Sequence, residues 1–259
     1  MEVTSTPSYK PLTVKGSLPL FFIPSILMII NVNLIMRVFD NQGFPFFYNY
    51  SFVYGIVPLS LFIIVAVMAY RREGNEMAWE AFKVRYRLPA MRKSDWLWII
   101  GLFIVMNLGL VIFSFTTKPI AKIIHPPSYW PAELNPLKDS NMSGVPDTFL
   151  GTSLSGNWTV LFLVLVNIIL VSLGEELWWR GYILPRQELQ YGDRTWIIHG
   201  TLWALFHIFT PWNIFVLLPG TLALSYVAQK RKNNWICIIT HGLVDGLLAI
   251  IIIFLGIMK

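Results

Sequence analysis

The chain has 259 residues, enough for one domain or one compact membrane bundle. It is 55% hydrophobic and only 13% charged, with a mean hydropathy of +0.59; soluble domains are about a quarter charged, so this make-up excludes one and marks an integral membrane protein. A net charge of +6 and a pI near 9.4 would suit nucleic acid, but the basic residues cluster between apolar runs. That is the pattern of membrane topology, so the expected partner is the lipid bilayer and not nucleic acid.

Residues 1–17 are polar, carry Lys10 and Lys15, and read as a cytoplasmic tail. The first apolar run, 18–36, is too long for a signal-peptide core and flows into Arg37 without a small-residue cleavage site, so it is expected to be a retained span. An aromatic loop over 37–51 precedes a second span, 52–70, kinked at Pro58 and halted by Arg71 and Arg72. Between 73 and 94, Trp79, Phe82 and Tyr86 recur at helical spacing with Lys83, Arg85 and Arg87 among them. That pattern suits an amphipathic helix on an anionic membrane surface, with a solvated loop helix as the alternative. A third span is expected over 96–116, with Trp96 and Trp98 at its interfacial end. The polar, Pro-, Ser- and Asn-rich stretch 117–156 reads as an exposed loop or a lid.

Four further spans are expected: one from Asn157 with its helix running to Leu184 before Pro185, then 196–209, 213–228 and 235–257. Several are short for the ~20 residues a straight span needs, so tilt or burial must help. The reading is an all-α, polytopic membrane helix bundle of about seven transmembrane helices plus an interfacial amphipathic helix. It divides into the tail 1–17, N-terminal membrane helices with the amphipathic segment and external loop over 18–156, and a C-terminal helical region over 157–259 that carries the charged residues inside the spans. Fifteen Lys and Arg fall on the segments 1–17, 71–94, 175–195 and 229–234, against five on the other side (Arg37, Lys118, Lys122, Lys138 and Lys259). The positive-inside rule then puts the N-terminus in the cytoplasm, and the cell membrane is the expected location. Cys237, the sole cysteine, lies in an apolar run and reads as packing.

Three groups of ionisable residues fall inside the expected spans, where each charge costs about 2.5–3.5 kcal/mol on insertion scales and marks a functional site by default. The first is Glu175, Glu176 and Arg180. Glu176 and Arg180 stand four apart with the acid N-terminal, the favourable orientation for a pair. Glu175 points about 100° away, toward Trp179, with no cation at that spacing. One acid is neutralised and the other free. The second is His207, one turn after Trp203; the third is His241 with Asp245 four residues on, which can hold the imidazole in place. At about 1.5 Å per residue, His241, Glu175 and His207 come to roughly 10, 14 and 17 Å below the cytoplasmic helix ends and can meet at one depth. A free carboxylate with two imidazoles suits general-base attack of water on an amide. His199 and His125 read as structural, at or outside the membrane interface.

The pattern Glu175-Glu176-x-x-x-Arg180, Trp203-x-x-x-His207 and His241-x-x-x-Asp245, in that order over about residues 160–250, resembles the CPBP family of intramembrane proteases, the CAAX-protease and bacteriocin-processing group also called abortive-infection proteins. The resemblance implies a helical bundle with a cavity open to the cytosol and Glu-dependent hydrolysis of a peptide or membrane-protein substrate, prenylated or not. In it Glu175 activates water assisted by His207, Glu176 and Arg180 fix the helix and its electrostatics, and His241 and Asp245 stabilise the oxyanion. Trp203 stands where the family usually has Phe, and Asp245 where Asn is common. An anionic Asp245 cannot donate to an oxyanion, so it is expected to be protonated, to orient His241 or to bind metal. The preferred mechanism needs no cofactor; the alternative is a divalent metal such as zinc on Glu175, His207, His241 and Asp245. A non-proteolytic scaffold is the competing function, and a proton-coupled transporter a third, which an inverted repeat absent from this sequence would favour.

Overall fold

The computed structural model describes residues 9–139 and 144–259, so residues 1–8 of the expected tail and 140–143 of the expected loop lie outside the described part. Six helical runs among the described residues are long and apolar enough to cross a membrane. They are α1 (Val14–Asn41), α2 (Phe46–Arg72), α4 (Lys93–Ile123), the 52-residue run Trp158–Phe209, α7 (Pro211–Arg231) and α8 (Asn234–Ile257), with the short α3 (Trp79–Arg85) between α2 and α4. The 52-residue run is a hairpin. It turns at Gly192, whose φ of +53° and ψ of −132° suit only glycine, so that α5 (158–191) and α6 (Thr195–Phe206) lie antiparallel. Trp203 on α6 thereby reaches Glu175 on α5 across 28 residues of sequence. The fold is therefore the expected polytopic helical bundle, with seven limbs.

The helices begin where their capping residues dictate. The Thr13 side chain accepts from the Gly16 amide at α1, Asp95 accepts from the Arg92 amide at α4, and Asn233 accepts from the Trp235 amide at α8. Several prolines sit in long helices without ending them, and two of them follow a seven-residue π-helical stretch: Tyr50–Ile56 before Pro58, Leu177–Ile183 before Pro185. The wider turn takes a residue that lacks an amide proton and would crowd the preceding turn of an α-helix. Helix α5 accordingly continues through Pro185 to Tyr191 rather than ending at Leu184.

The stretch 37–51 is mostly helical, with only 42–45 breaking α1 from α2, because the Asn49 amide donates to the Met36 carbonyl at 2.7 Å and the Asn31 amide to that of Val53. The described part of 117–156 is packed on the bundle. Trp130 is buried against Trp212 and Tyr54, Leu154 is buried in full, and strands β1 (Thr148–Phe149) and β2 (Thr152–Ser153) form a small hairpin. Helix α3 docks by one face. Tyr86, just past its end, is fully buried with its hydroxyl donating to the Ala66 carbonyl at 2.6 Å, whereas Trp79 and Val84 stay exposed.

On the face carrying the basic loops, Glu73 accepts from Arg85 at 2.6 Å and Arg186 at 2.9 Å, Glu188 pairs with Arg87 and Lys232, and Asp95 pairs with Arg231 at 2.7 Å. These partly buried contacts lock α3, α5 and the α7–α8 turn together. At the centre, Trp179 is fully buried, stacked on Phe21 of α1 with centroids 4.6 Å apart and tilted against Phe62 of α2 and Phe206 of α6. One indole therefore joins α5 to three other helices, next to the acidic pair.

Close approach of α2 and α5 depends on Gly174: a Cβ there would come within 2.7 Å of the Leu59 carbonyl oxygen, a backbone atom with no freedom to withdraw. Gly174→Ala is expected to lower stability by about 1–3 kcal/mol. Gly101→Ala, whose Cβ would meet nothing within 4 Å, is expected to be neutral or stabilising. Thermal unfolding of the two variants in detergent checks the contrast.

Candidate active site

Helix α5 delivers both acids at the junction of its α-helical and π-helical parts, with Glu175 and Glu176 the last α-helical residues and Arg180 inside the π stretch. Glu176 and Arg180 are completely buried, and Arg180 Nη1 donates to Glu176 Oε1 at 2.9 Å. The guanidinium also lies over the Trp203 ring, 3.5 Å from its centroid, so the cation is held between a carboxylate and an aromatic face. Glu176 Oε1 takes a second contact: His241 Nδ1, from α8, is 2.9 Å away. Sequence spacing offers no sign of that bond, because its partners are 65 residues apart. The main chain of the same residue is tied as well, since the Asn234 amide donates to the Glu176 carbonyl at 2.9 Å.

Glu175 has no cation. Its Oε2 accepts from two indoles, Trp179 Nε1 at 3.1 Å and Trp203 Nε1 at 2.9 Å, and its Oε1 takes no hydrogen bond from the described residues. Trp203 thus has two functions that Phe could not combine, since its edge donates to Glu175 while its face receives Arg180. The signal for Trp179 is its four-residue spacing from Glu175; for the Trp203 bond there is no local signal.

The imidazoles approach from the other helices. His207 begins the 3-10 turn that ends α6, and its Nδ1 lies 3.0 Å from the Trp203 carbonyl oxygen. A carbonyl only accepts, so Nδ1 carries the proton and Nε2 of the neutral ring presents a lone pair. His241 bridges two acids, with Nδ1 at Glu176 and Nε2 3.3 Å from Asp245 Oδ2. Asp245 is the open member of the set, its side chain 41% exposed where that of Glu176 is fully buried. Among the described residues no group of three His, Cys, Asp or Glu side chains converges as a metal site would require. Within the set Glu175, His207, His241 and Asp245, both nitrogens of His241 face carboxylates and one Glu175 oxygen is taken by indoles.

Of the remaining histidines, His199 is fully buried within the bundle. The return of α6 along α5 brings its Nδ1 to 2.7 Å from Gln187 Oε1 and its ring edge-on to Phe21. His125 lies exposed beyond α4. Cys237 is fully buried, and its thiol donates to the Leu224 carbonyl at 3.6 Å.

Glu175, His207, His241 and Asp245 all line one cavity of about 490 Å³, large enough for a few residues of extended peptide. Beyond them its wall is mostly apolar and aromatic, with Ser51, Asn167, Thr210, Asn213 and Thr221 as polar interruptions and no Lys or Arg.

A helical bundle with six runs apolar enough to cross a membrane, and with a carboxylate and two imidazoles on the wall of one cavity, is a membrane protein with a polar cluster in its interior. Residues 157–247, about a third of the chain, match the family model described as Rce1-like, "type II CAAX prenyl endopeptidase Rce1-like". That stretch is thus similar to the CAAX-protease family of intramembrane proteases, as the motifs in the sequence suggest. No curated protein and no solved structure matches the chain.

Removing one member of the buried pair leaves the other charge uncompensated, at a cost of about 3–5 kcal/mol. Arg180→Met is therefore expected to melt well below the wild type. Glu176→Gln combined with Arg180→Met should recover part of the loss, which thermal unfolding of both proteins in detergent will measure.

Proposed function

We propose that the chain is an intramembrane endopeptidase that hydrolyses a peptide bond by direct attack of water, with Glu175 as general base. The observation that carries this reading is the division of labour between adjacent acids. Glu176 is neutralised by Arg180 and His241, while Glu175 is anchored through one oxygen and open at the other. A base must be held in place and yet keep a lone pair for the water it deprotonates, and Glu175 meets both conditions.

His207 fits beside it as the second acceptor. With its proton committed to the Trp203 carbonyl, its Nε2 can orient the attacking water and later carry a proton toward the departing amine. His241 suits the oxyanion. Its two partners are both acceptors, so the ring serves as a double donor, and the 3.3 Å separation from Asp245 is long for a charged hydrogen bond. That Nε2–H can be shared with a developing negative charge. Asp245 then acts by orienting the ring, the second of the roles open to it, and needs neither to be protonated nor to bind metal. Water adds to the carbonyl carbon, the proton passes through Glu175 or His207 to the amide nitrogen, and the carbon–nitrogen bond breaks. Prenylated CAAX tails are the substrates in the name of the matching family, and the reaction as written requires only a peptide bond.

Glu175→Gln should reduce cleavage of a susceptible peptide by at least about 10²-fold, the usual contribution of a general base, while the protein still folds. Trp203→Phe, which removes one donor to Glu175 but keeps an aromatic face for Arg180, should lower kcat and leave KM nearly unchanged. Cleavage should survive a strong chelator. Loss of activity in chelator with recovery on adding zinc would contradict the metal-free mechanism, and full activity in Glu175→Gln would overturn the catalytic assignment. A folded wild-type chain that cleaves no member of a panel of prenylated and unprenylated peptides, yet keeps a binding partner, would favour a scaffold.

A further inference from the structure

A second pocket, of about 590 Å³, lies at the basic end of the bundle between α1, α2 and α5. It shares no lining residue with the catalytic cavity, and nothing in it depends on the endopeptidase reading. Its rim carries Lys10, Arg72 and Arg186 with one acid, Glu73. That acid is already engaged by Arg186 at 2.9 Å and by the buried Arg85 at 2.6 Å, so the cations outweigh it. Lys10 and Arg72 are exposed, and neither joins an ion pair among the described residues.

The deeper wall is apolar, made by Leu20 of α1, Val65, Met68 and Ala69 of α2 and Trp178 of α5. Val65 and Met68 are 41% and 47% exposed, so this wall reaches the outer surface of the bundle. Val65 lies seven residues before Arg72, about 10 Å farther into the span at 1.5 Å per residue. The pocket is therefore cationic at one end and apolar along its length, with both parts accessible.

The cationic end is held from behind. The Leu12 amide donates to the Arg186 carbonyl at 2.9 Å, which fixes the segment carrying Lys10 against α5. Tyr182 stacks on Trp178 with centroids 5.0 Å apart, and its hydroxyl accepts from Arg186 Nη1 at 2.8 Å. Nη1 is thereby engaged by Glu73 and Tyr182, while Nη2 donates to no described residue. Two further donors on lining residues, Arg186 Nε and Trp178 Nε1, are buried without an acceptor among the described residues. Buried donors are nearly always paired, so these two point to an acceptor supplied by a ligand.

We propose that this pocket binds one anionic phospholipid from the leaflet at the basic end, with its phosphate on Lys10, Arg72 and Arg186 and the start of an acyl chain along Leu20, Val65 and Met68. Arginine matches a phosphate with a planar fork and lysine adds a point charge. Basic pockets between membrane helices suit anionic headgroups for that reason. A free phosphate ion would engage the cations and leave the apolar wall uncovered, and a zwitterionic lipid would add a cation to the three already present. The bound lipid braces α1, α2 and the π-helical stretch of α5, where Trp178 directly precedes the Trp179 that donates to Glu175.

The test uses the full chain purified in a neutral detergent, with native mass spectrometry to count bound lipids and thermal unfolding to read their effect. The probes are dioleoyl phosphatidylglycerol, dioleoyl phosphatidylcholine and inorganic phosphate. Phosphatidylglycerol should add one tightly held copy and raise the melting temperature. Phosphatidylcholine should bind at least about tenfold more weakly, and phosphate should not displace the lipid. Lys10→Gln with Arg72→Gln should weaken the first copy by about 30-fold, the loss of two basic contacts to a headgroup. Lys15→Gln with Arg71→Gln removes the same charge from the same end of the bundle, at exposed residues outside the pocket, and should leave binding nearly unchanged. Both doubles alter only exposed side chains, so without lipid they should melt close to the wild type. Equal weakening in the two doubles, or equal affinity for phosphatidylcholine, would overturn the site. Displacement of the lipid by inorganic phosphate, with the same rise in melting temperature, would assign the pocket to a free anion and overturn the lipid.

Discussion

The structure depends on how one buried cation is neutralised. Arg180 sits where no water reaches, and leaving such a charge unpaired would cost several kcal/mol. Glu176 supplies the counter-charge from one helical turn away, Trp203 supplies an aromatic face from the neighbouring helix, and His241 joins the same carboxylate from α8. Three helices are thereby held in one register by polar contacts that lipid cannot replace. Apolar packing in a bilayer is weakly directional, because lipid tails are as greasy as the side chains they would displace. A polar node of this kind supplies the specificity that apolar surfaces lack.

That node also leaves the neighbouring carboxylate without a cation among the described residues. With Arg180 engaged by Glu176, Glu175 has no cation to collapse onto, and the two indole donors hold it without neutralising it. Trp179 connects this arrangement to the packing of α1, α2 and α6. The side chain that positions the carboxylate is therefore itself fixed by the most densely aromatic part of the core.

Much of this is visible in the sequence where the interaction is local. The Glu176–Arg180 pair, the direction of Glu175 toward Trp179 and the His241–Asp245 pair are all four-residue relations on a helix, and helical periodicity alone predicts them. The limbs of the bundle are legible for the same reason, as runs of apolar residues between polar breaks. What depends on helices meeting is not legible. The His241–Glu176 and Trp203–Glu175 bonds span 65 and 28 residues, and His199 is buried only because the Gly192 turn returns it to Gln187. Segment 37–51 has the composition of a loop yet stays helical through Asn49 and Asn31, whose amides find carbonyls on the neighbouring helix. The π stretches before Pro58 and Pro185 leave no compositional mark at all.

The central claim is that two adjacent glutamates have opposite duties, Glu176 holding the fold and Glu175 left free for chemistry. The most direct test is to melt Glu175→Gln and Glu176→Gln side by side in the same detergent, since it requires no substrate. The account predicts that Glu176→Gln, which strands Arg180 and weakens the link to His241, loses several degrees. Glu175→Gln keeps an oxygen for the two indoles and sheds a buried charge, so it should melt at or above the wild-type temperature. A large drop for Glu175→Gln with little change for Glu176→Gln would contradict it.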